Sequence, residues 1–488
     1  MIRTSQRPLT WIKILILLTW AVLFFLLLQR DVFIDRINLP EAQTLRQAEA
    51  EEYQGIYFRD SKIGYAVNRY RAEPDNRQVV EQEALMHLNI AQSVQTISLR
   101  LKATLSNGNS LQDFQFSFQS PFYRMQAKGT VHGNDVTYLL ETGANTIRDT
   151  VTFPTPPLLA TSRRSYLLGG ALKPGEKRRI PWFDPLTLTG KESILEYRGQ
   201  ETILINGRVQ KLHHFVESFA GARVNSWLND SGTVVREESP AGFVFQKEPK
   251  FKALEAFGGS EELLSAMAVT LQGQLGDITG PSKAYRLTLP DDTTFDLDGG
   301  RQIFRDGILT ITREDLAAAA NSPACTDAAA ALAATPYVQS DHPEITKLAR
   351  QITGDAAEAL ARTRLIAAWV HENLDKRPVL GLPDALTTLQ SRQGDCNEHA
   401  ALFAALARAV AVPTRIAAGV TYHQEAFYYH AWNEVCLDNR WVSIDTTTNQ
   451  FPADLTHLRF IIGETQEQVQ LGSLLGKLSI EPLPSREN

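Results

Sequence analysis

Gln393-Gly394-Asp395-Cys396-Asn397-Glu398-His399 is the stretch that decides how the last third of this chain is read. Asp395 and Glu398 stand three residues apart, the spacing of a reciprocal N-cap, so a helix is expected to begin at or beside Cys396. Leu402, Phe403, Leu406 and Val410 continue it at helical spacing, and Gly394 lets the backbone turn sharply just before it. A thiol at a helix N-terminus faces the positive end of the dipole and free N–H groups, which favour thiolate and can hold an oxyanion. The Asp395 carboxylate opposes thiolate formation, so the dipole alone is insufficient and a second cation is required.

Downstream, the helix ends near Val412-Pro413, and three strands are expected: Thr414 to Val420, Phe427 to Val435 and Arg440 to Asp445. The second carries His430 and the third ends in Asp445. Antiparallel pairing through the short turn Leu437-Asp438-Asn439 would bring Asp445 beside His430. Cys396, His430 and Asp445 then fill the nucleophile, base and orienter roles of covalent acyl transfer. Upstream, Glu344 to Ile352 and Asp355 to Leu374 read as helices. Gln390 lies six residues before Cys396, where it resembles the oxyanion glutamine of papain, and that resemblance makes it a candidate second oxyanion donor. Trp432 and Trp441 are expected to pack the sheet around the triad.

Gly394-Asp395-Cys396-Asn397-Glu398-His399-Ala400, running on through Val412-Pro413-Thr414-Arg415, resembles the Cys-helix motif of bacterial transglutaminase-like proteins. His430-Ala431-Trp432-Asn433-Glu434-Val435 and Trp441-Val442-Ser443-Ile444-Asp445 are similar to the His and Asp motifs of that superfamily, over roughly residues 340–460. The resemblance implies a papain-like α+β fold, with a Cys-bearing helix on an antiparallel sheet. It implies attack on a peptide or glutamine amide, with no cofactor and no metal. Many relatives are regarded as proteases, so hydrolysis is favoured over transfer to an amine, although the residues leave the acceptor open. Where the family often has Pro after the Asp, this chain has Thr446-Thr447.

Other readings of the same residues remain. Cys396, His399, His430 and Cys436 could hold zinc, since Cys-x-x-His can ligate metal, but that leaves the Asp445 motif unexplained. The domain could also be a non-catalytic scaffold beside a binding module for envelope polymers or proteins. The chain's other cysteines, Cys325 and Cys436, form no disulfide framework, and Cys325 reads as a bystander.

From Tyr53 to Lys250 the pattern is β. Phe114, Phe116 and Phe118 alternate with Gln115 and Ser117, and turns are expected at Ser106-Asn107-Gly108-Asn109, His132-Gly133-Asn134-Asp135 and Asp230-Ser231-Gly232. An antiparallel sandwich or half-open barrel fits this spacing. His213-His214 are adjacent on a strand and point to opposite faces, so they do not share a metal. Asp296-Leu297-Asp298-Gly299 lacks the rest of a calcium loop and reads as a polar turn. The expected organisation is an anchor (1–30), a polar helix-prone stalk (31–52), a β-rich domain (53–250), a small β segment (251–316), an Ala-rich connector (317–336) and the transglutaminase-like domain (337–488).

Leu9 to Leu28 is a 20-residue run whose only charge is Lys13, matching the length of a membrane-spanning helix. Gln29-Arg30-Asp31-Val32-Phe33 offers no small-residue cleavage site, so an uncleaved single-pass anchor is expected. The flanking charges balance, and the short leading tail places the body outside the cytoplasm. The 488 residues are 43% hydrophobic and 21% charged with a formal charge of −6, which excludes a general nucleic-acid binder with a basic stripe.

Overall fold

The computed structural model describes residues 35–36 and 50–484, apart from 107–108, 144, 171, 220–221, 259–260, 291–294, 317–324 and 326. The expected anchor over 9–28 lies outside these residues. Among the described residues no helix is long and apolar enough to cross a membrane.

The first half of the chain is one continuous sheet. Its strands are β1 (Asp35–Arg36), β2 (Ala50–Phe58), β3 (Ser61–Glu73), β4 (Arg77–Ile90), β5 (Ser93–Leu105), β6 (Leu111–Gln119), β7 (Arg124–His132), β8 (Asp135–Thr142) and β9 (Asn145–Thr152). They continue as β10 (Leu158–Leu159), β11 (Lys177–Asp184), β12 (Thr189–Ile205), β13 (Arg208–Phe219), β14 (Ala222–Leu228), β15 (Val234–Glu238) and β16 (Phe243–Glu248). The strand order is β1-β11-β12-β13-β14-β15-β16-β2-β3-β4-β5-β6-β7-β8-β9, with β10 also on β11. Within this order β2 pairs with β16, so the two runs of hairpins join into one sheet.

Alternation builds the core. Phe114, Phe116 and Phe118 are all buried on one face. Leu111 joins them although three residues separate it from Phe114, because the β5–β6 register slips there: Thr104 faces Asp113 while Leu105 faces Leu111. The bulge at Gln112 restores the phase. The expected stalk is partly strand: β1 falls inside it and β2 begins at Ala50. Pairing with β11 and β3 overrides the local helical preference.

The last part is layered. Helices α1 (Pro343–Thr353), α2 (Ala359–Asn373), α3 (Ala385–Ser391) and α4 (Cys396–Ala409) cover one face of a four-stranded antiparallel sheet. That sheet follows β17 (Ser282–Thr288), β18 (Gln302–Arg305), β19 (Ile308–Thr312) and the two-residue pair β20 (Asp375–Lys376) and β21 (Gln393–Gly394) in the chain. It consists of β22 (Thr414–His423), β23 (Ala426–Leu437), β24 (Arg440–Ile444) and β25 (Leu458–Ile462), in the order β24-β23-β22-β25. It also packs on a second sheet, β18-β19-β17-β26, completed by β26 (Ser479–Pro482). The small β segment is therefore tied to the end of the chain. The β-rich sheet also touches the helices: Thr142 Oγ1 donates to Asp384 at 3.0 Å.

Candidate active site

Asp395 caps α4 as expected, its Oδ1 accepting from Asn397 N at 3.0 Å while Glu398 Oε2 accepts from Asp395 N at 2.9 Å. Gly394 serves this box by leaving room: a Cβ there would overlap the Glu398 side chain, and its φ is not among the positive ones. Cys396 is the first residue of the helix and is half-buried. Asn433 in β23 donates from Nδ2 to Ala400 O of α4 at 3.0 Å, fixing the helix against the strand that bears His430.

The His430 ring faces Asp445 through Nε2, 2.9 Å from Oδ2, which leaves Nδ1 as the nitrogen available to a thiol. The pairing follows from the strand register: Asn433 faces Ile444, so Asp445 enters the sheet edge one step further, towards His430. Trp432 stacks near the imidazole at 6.2 Å between ring centres. Trp441 does not join it; its ring lies under the Arg415 guanidinium at 4.2 Å.

The thiol itself departs from expectation. Burial pushes the Cys396 thiol well above its ordinary value, with the Asp395 carboxylate adding to this, the Ala431 N–H working against it, and Glu398 and Asp445 adding further. The helix N-terminus favours thiolate, but burial outweighs it. Burial and the neighbouring Asp395 carboxylate in turn hold the Glu398 carboxyl well above the usual range.

Against this geometry, the family model described as the transglutaminase-like superfamily matches residues 346–446. Residues 346–446 are a transglutaminase-like superfamily domain. No curated protein matches the chain. Among solved structures, a protein provisionally described as a cysteine protease from Cytophaga hutchinsonii is 16% identical, covering 44% of this chain and 81% of its own, at a TM-score of 0.28. A β-barrel-like protein of a domain of unknown function from Brucella abortus is 9% identical, covering 42% and 97%, at 0.33. A protein provisionally described as a protease from Parabacteroides distasonis is 12% identical, covering 70% and 69%, at 0.21. At these scores the likenesses carry no argument.

Just beyond the matched residues lies one that the sequence did not signal. His457 is buried, with Nε2 3.2 Å from Asp445 Oδ2 and Nδ1 3.0 Å from Asp454 Oδ1. Both ring nitrogens therefore face carboxylates, which asks for both to be protonated. Burial alone would lower the His457 pKa, but Asp445 and Asp454 outweigh it and hold it up. Burial likewise pushes Asp445 and Asp454 up, and the histidines more than reverse it. Arg301, paired with Glu314 at 3.3 Å, donates to the carbonyls of Ala453, Asp454 and His457 and pins this loop.

The network makes stability depend on pH. The two depressed carboxylates contribute fully above the ordinary Asp value of about 3.9, and this is lost as pH falls through their folded values. The raised His457 contributes fully below about 6.5 and is lost as pH rises through its folded value. Tm should therefore be highest between about pH 4 and 6.5, and His457→Asn should flatten the alkaline decline. An alkaline limb of unchanged slope in the variant would remove His457 from the account.

Two further expectations are corrected. Cys325 is not a bystander: it forms a disulfide with Cys436, across 111 residues, so Cys396 is the free cysteine. That also dismantles the zinc set, since Cys436 is oxidised and His399 Nδ1 already lies 2.7 Å from Asp395 O. Gln390 is exposed on α3. The N–H of Cys396 itself, which the cap does not use, is one candidate donor for an oxyanion. Among the described residues, His430, Asp445 and His457 bring possible metal-ligand atoms within 4.8 Å of one another. Asp445 Oδ2 is already taken by both imidazoles there, so an ion would have to displace both hydrogen bonds. In the β-rich sheet His213 and His214 serve different partners, Asp230 and Asn225.

Unsatisfied polar atoms gather around the same centre. His399 Nε2, Trp432 Nε1 and Thr447 Oγ1 are buried without partners. Buried polar groups are rarely left unpaired.

Proposed function

We propose that this chain is a membrane-anchored thiol hydrolase that cleaves an amide bond in a protein or peptide. The observation that carries the reading is the His430–Asp445 hydrogen bond, with His430 next to Ala431, whose N–H reaches the thiol at the capped helix N-terminus. His430 Nδ1 takes the Cys396 proton as the sulfur attacks the carbonyl carbon, and the oxygen becomes an oxyanion near the Cys396 N–H. The tetrahedral adduct collapses, and His430 gives its proton to the leaving amine. Water then enters; His430 removes its proton, the hydroxyl displaces sulfur, and a carboxylic acid and the free thiol remain. Asp445 holds the imidazole throughout.

The run from Leu9 to Leu28 supports an anchor, and the Cys325–Cys436 disulfide supports a body in an oxidising compartment outside the cytoplasm. The raised thiol pKa is the one observation on the side of a non-catalytic scaffold.

The test is turnover of a casein substrate, with and without hydroxylamine as a competing acceptor. New N-termini and carboxylates should form, and Cys396→Ala should abolish them. Products that are mainly hydroxamates at low hydroxylamine would make the enzyme a transferase instead. Turnover equal in Cys396→Ala would end the thiol mechanism.

A further inference from the structure

The large sheet ends in an apolar tip ringed by cations. Leu204 and Val209 face each other across the β12–β13 hairpin and are 70% and 71% exposed. The hairpin turns at Asn206-Gly207, both at positive φ as a two-residue turn requires. The tip is not loose. Asn206 Nδ2 donates to Lys247 O at 3.2 Å, and Lys252 Nζ donates to Asn206 Oδ1 at 2.7 Å. This fixes the hairpin against the single helical turn Lys250–Ala253, whose Phe251 is 80% exposed and is followed by the half-exposed Leu254. Exposed Arg208 and Lys211 flank the hairpin and make no ion pair among the described residues.

The chain reaches the sheet at this same end. β2 starts at Ala50, and Tyr53 pairs with Glu248, with Lys250 Nζ 5.3 Å above the Tyr53 ring. β1 joins β11 at Arg178 and Arg179. β11 ends there while β12 runs on to the tip, nine residues beyond the partner of Lys177, or about 30 Å. The apolar run stops at Leu28, and the six residues before β1 can span only about 25 Å. A bilayer holding that run therefore lies close to the tip end of the sheet.

We infer that the tip formed by Leu204, Val209, Phe251 and Leu254, with Arg208 and Lys211 around it, docks onto the surface of an anionic bilayer. The inference rests on the anchor proposed above. Its apolar side chains enter the acyl boundary while the cations meet lipid phosphates, which is how peripheral surfaces combine burial with attraction to anionic lipid. Docking holds the body at a set orientation over the membrane, whereas an anchor and stalk alone would leave it free to swing.

The test is hydrogen exchange of the full chain in nanodiscs of phosphatidylcholine, with or without phosphatidylglycerol. Peptides spanning 203–210 and 247–254 should exchange roughly fivefold or more slowly in the anionic discs. The triple variant Leu204→Ser, Val209→Ser, Phe251→Ser should return them to the rate in neutral discs. All three positions are exposed, so the fold tolerates the change. Equal rates in the two discs, or protection that survives the triple variant, would overturn the docking surface. Carbonate extraction reads the anchor separately: a chain released by carbonate has no anchor, and the same exchange comparison is then made on free chain mixed with vesicles of the two compositions.

Discussion

Asp445→Asn should keep the fold and lower turnover by about 10²- to 10⁴-fold. Every group that faces the Asp445 carboxyl is a donor. Oδ2 receives His430, His457 and the Thr448 hydroxyl, at 2.9, 3.2 and 2.6 Å. Oδ1 receives the N–H groups of Thr447 and Thr448, at 2.8 and 3.3 Å. A carboxylate satisfies five donors; an amide must turn its NH₂ towards some of them. With the backbone N–H groups immovable, the NH₂ falls on the side of the histidines. His430 then accepts at Nε2, and its proton moves to Nδ1, the nitrogen that should receive the thiol proton. The loss is therefore one of tautomer, visible in turnover more than in stability, where about 1–3 kcal/mol is expected for the unpaired donors. Undiminished turnover in a folded Asp445→Asn would move the orienting role elsewhere.

Each member of the candidate triad has a local signal in the sequence. The Asp395–Glu398 box fixes where α4 starts, and the run from Phe427 to Val435 reads as the strand that carries His430. The short turn at Asp438-Asn439, both at positive φ, sets the β23–β24 register. His457 had no such signal. It comes after the loop that follows β24, and only the return of β25 beside β22 places it against Asp445. The disulfide was hidden for the same reason, since nothing in an Ala-rich connector announces a partner 111 residues away. In the β-rich half, alternation showed strands but could not show that β2 pairs with β16. The acidity of Cys396 failed differently: the dipole and the capping box can be read from seven residues, but desolvation is set by how the rest of the domain closes over the sulfur.

That desolvation sharpens what His430 must do. Without a nearby cation the Cys396 thiol is held in its protonated form, so thiolate at neutral pH has to come from transfer to His430, as an ion pair. At about pH 6, iodoacetamide should alkylate Cys396 alone in the unreduced chain, because Cys325 and Cys436 are joined. His430→Ala should slow that labelling by about tenfold or more. For any thiol titrating above the ambient pH, each unit of pKa lost raises the thiolate fraction tenfold but lowers its nucleophilicity about threefold, a net gain of about threefold per unit. A shift of several units, as ion-paired cysteines show, then gives the expected ratio. Turnover should fall further than labelling, on the order of 10³-fold or more, since His430 is also needed to protonate the leaving amine. Peptide mass spectrometry of the Cys396 segment reads the first effect, and casein turnover the second. If His430→Ala leaves the alkylation rate unchanged, the imidazole does not reach the thiol, and the scaffold reading replaces the enzyme.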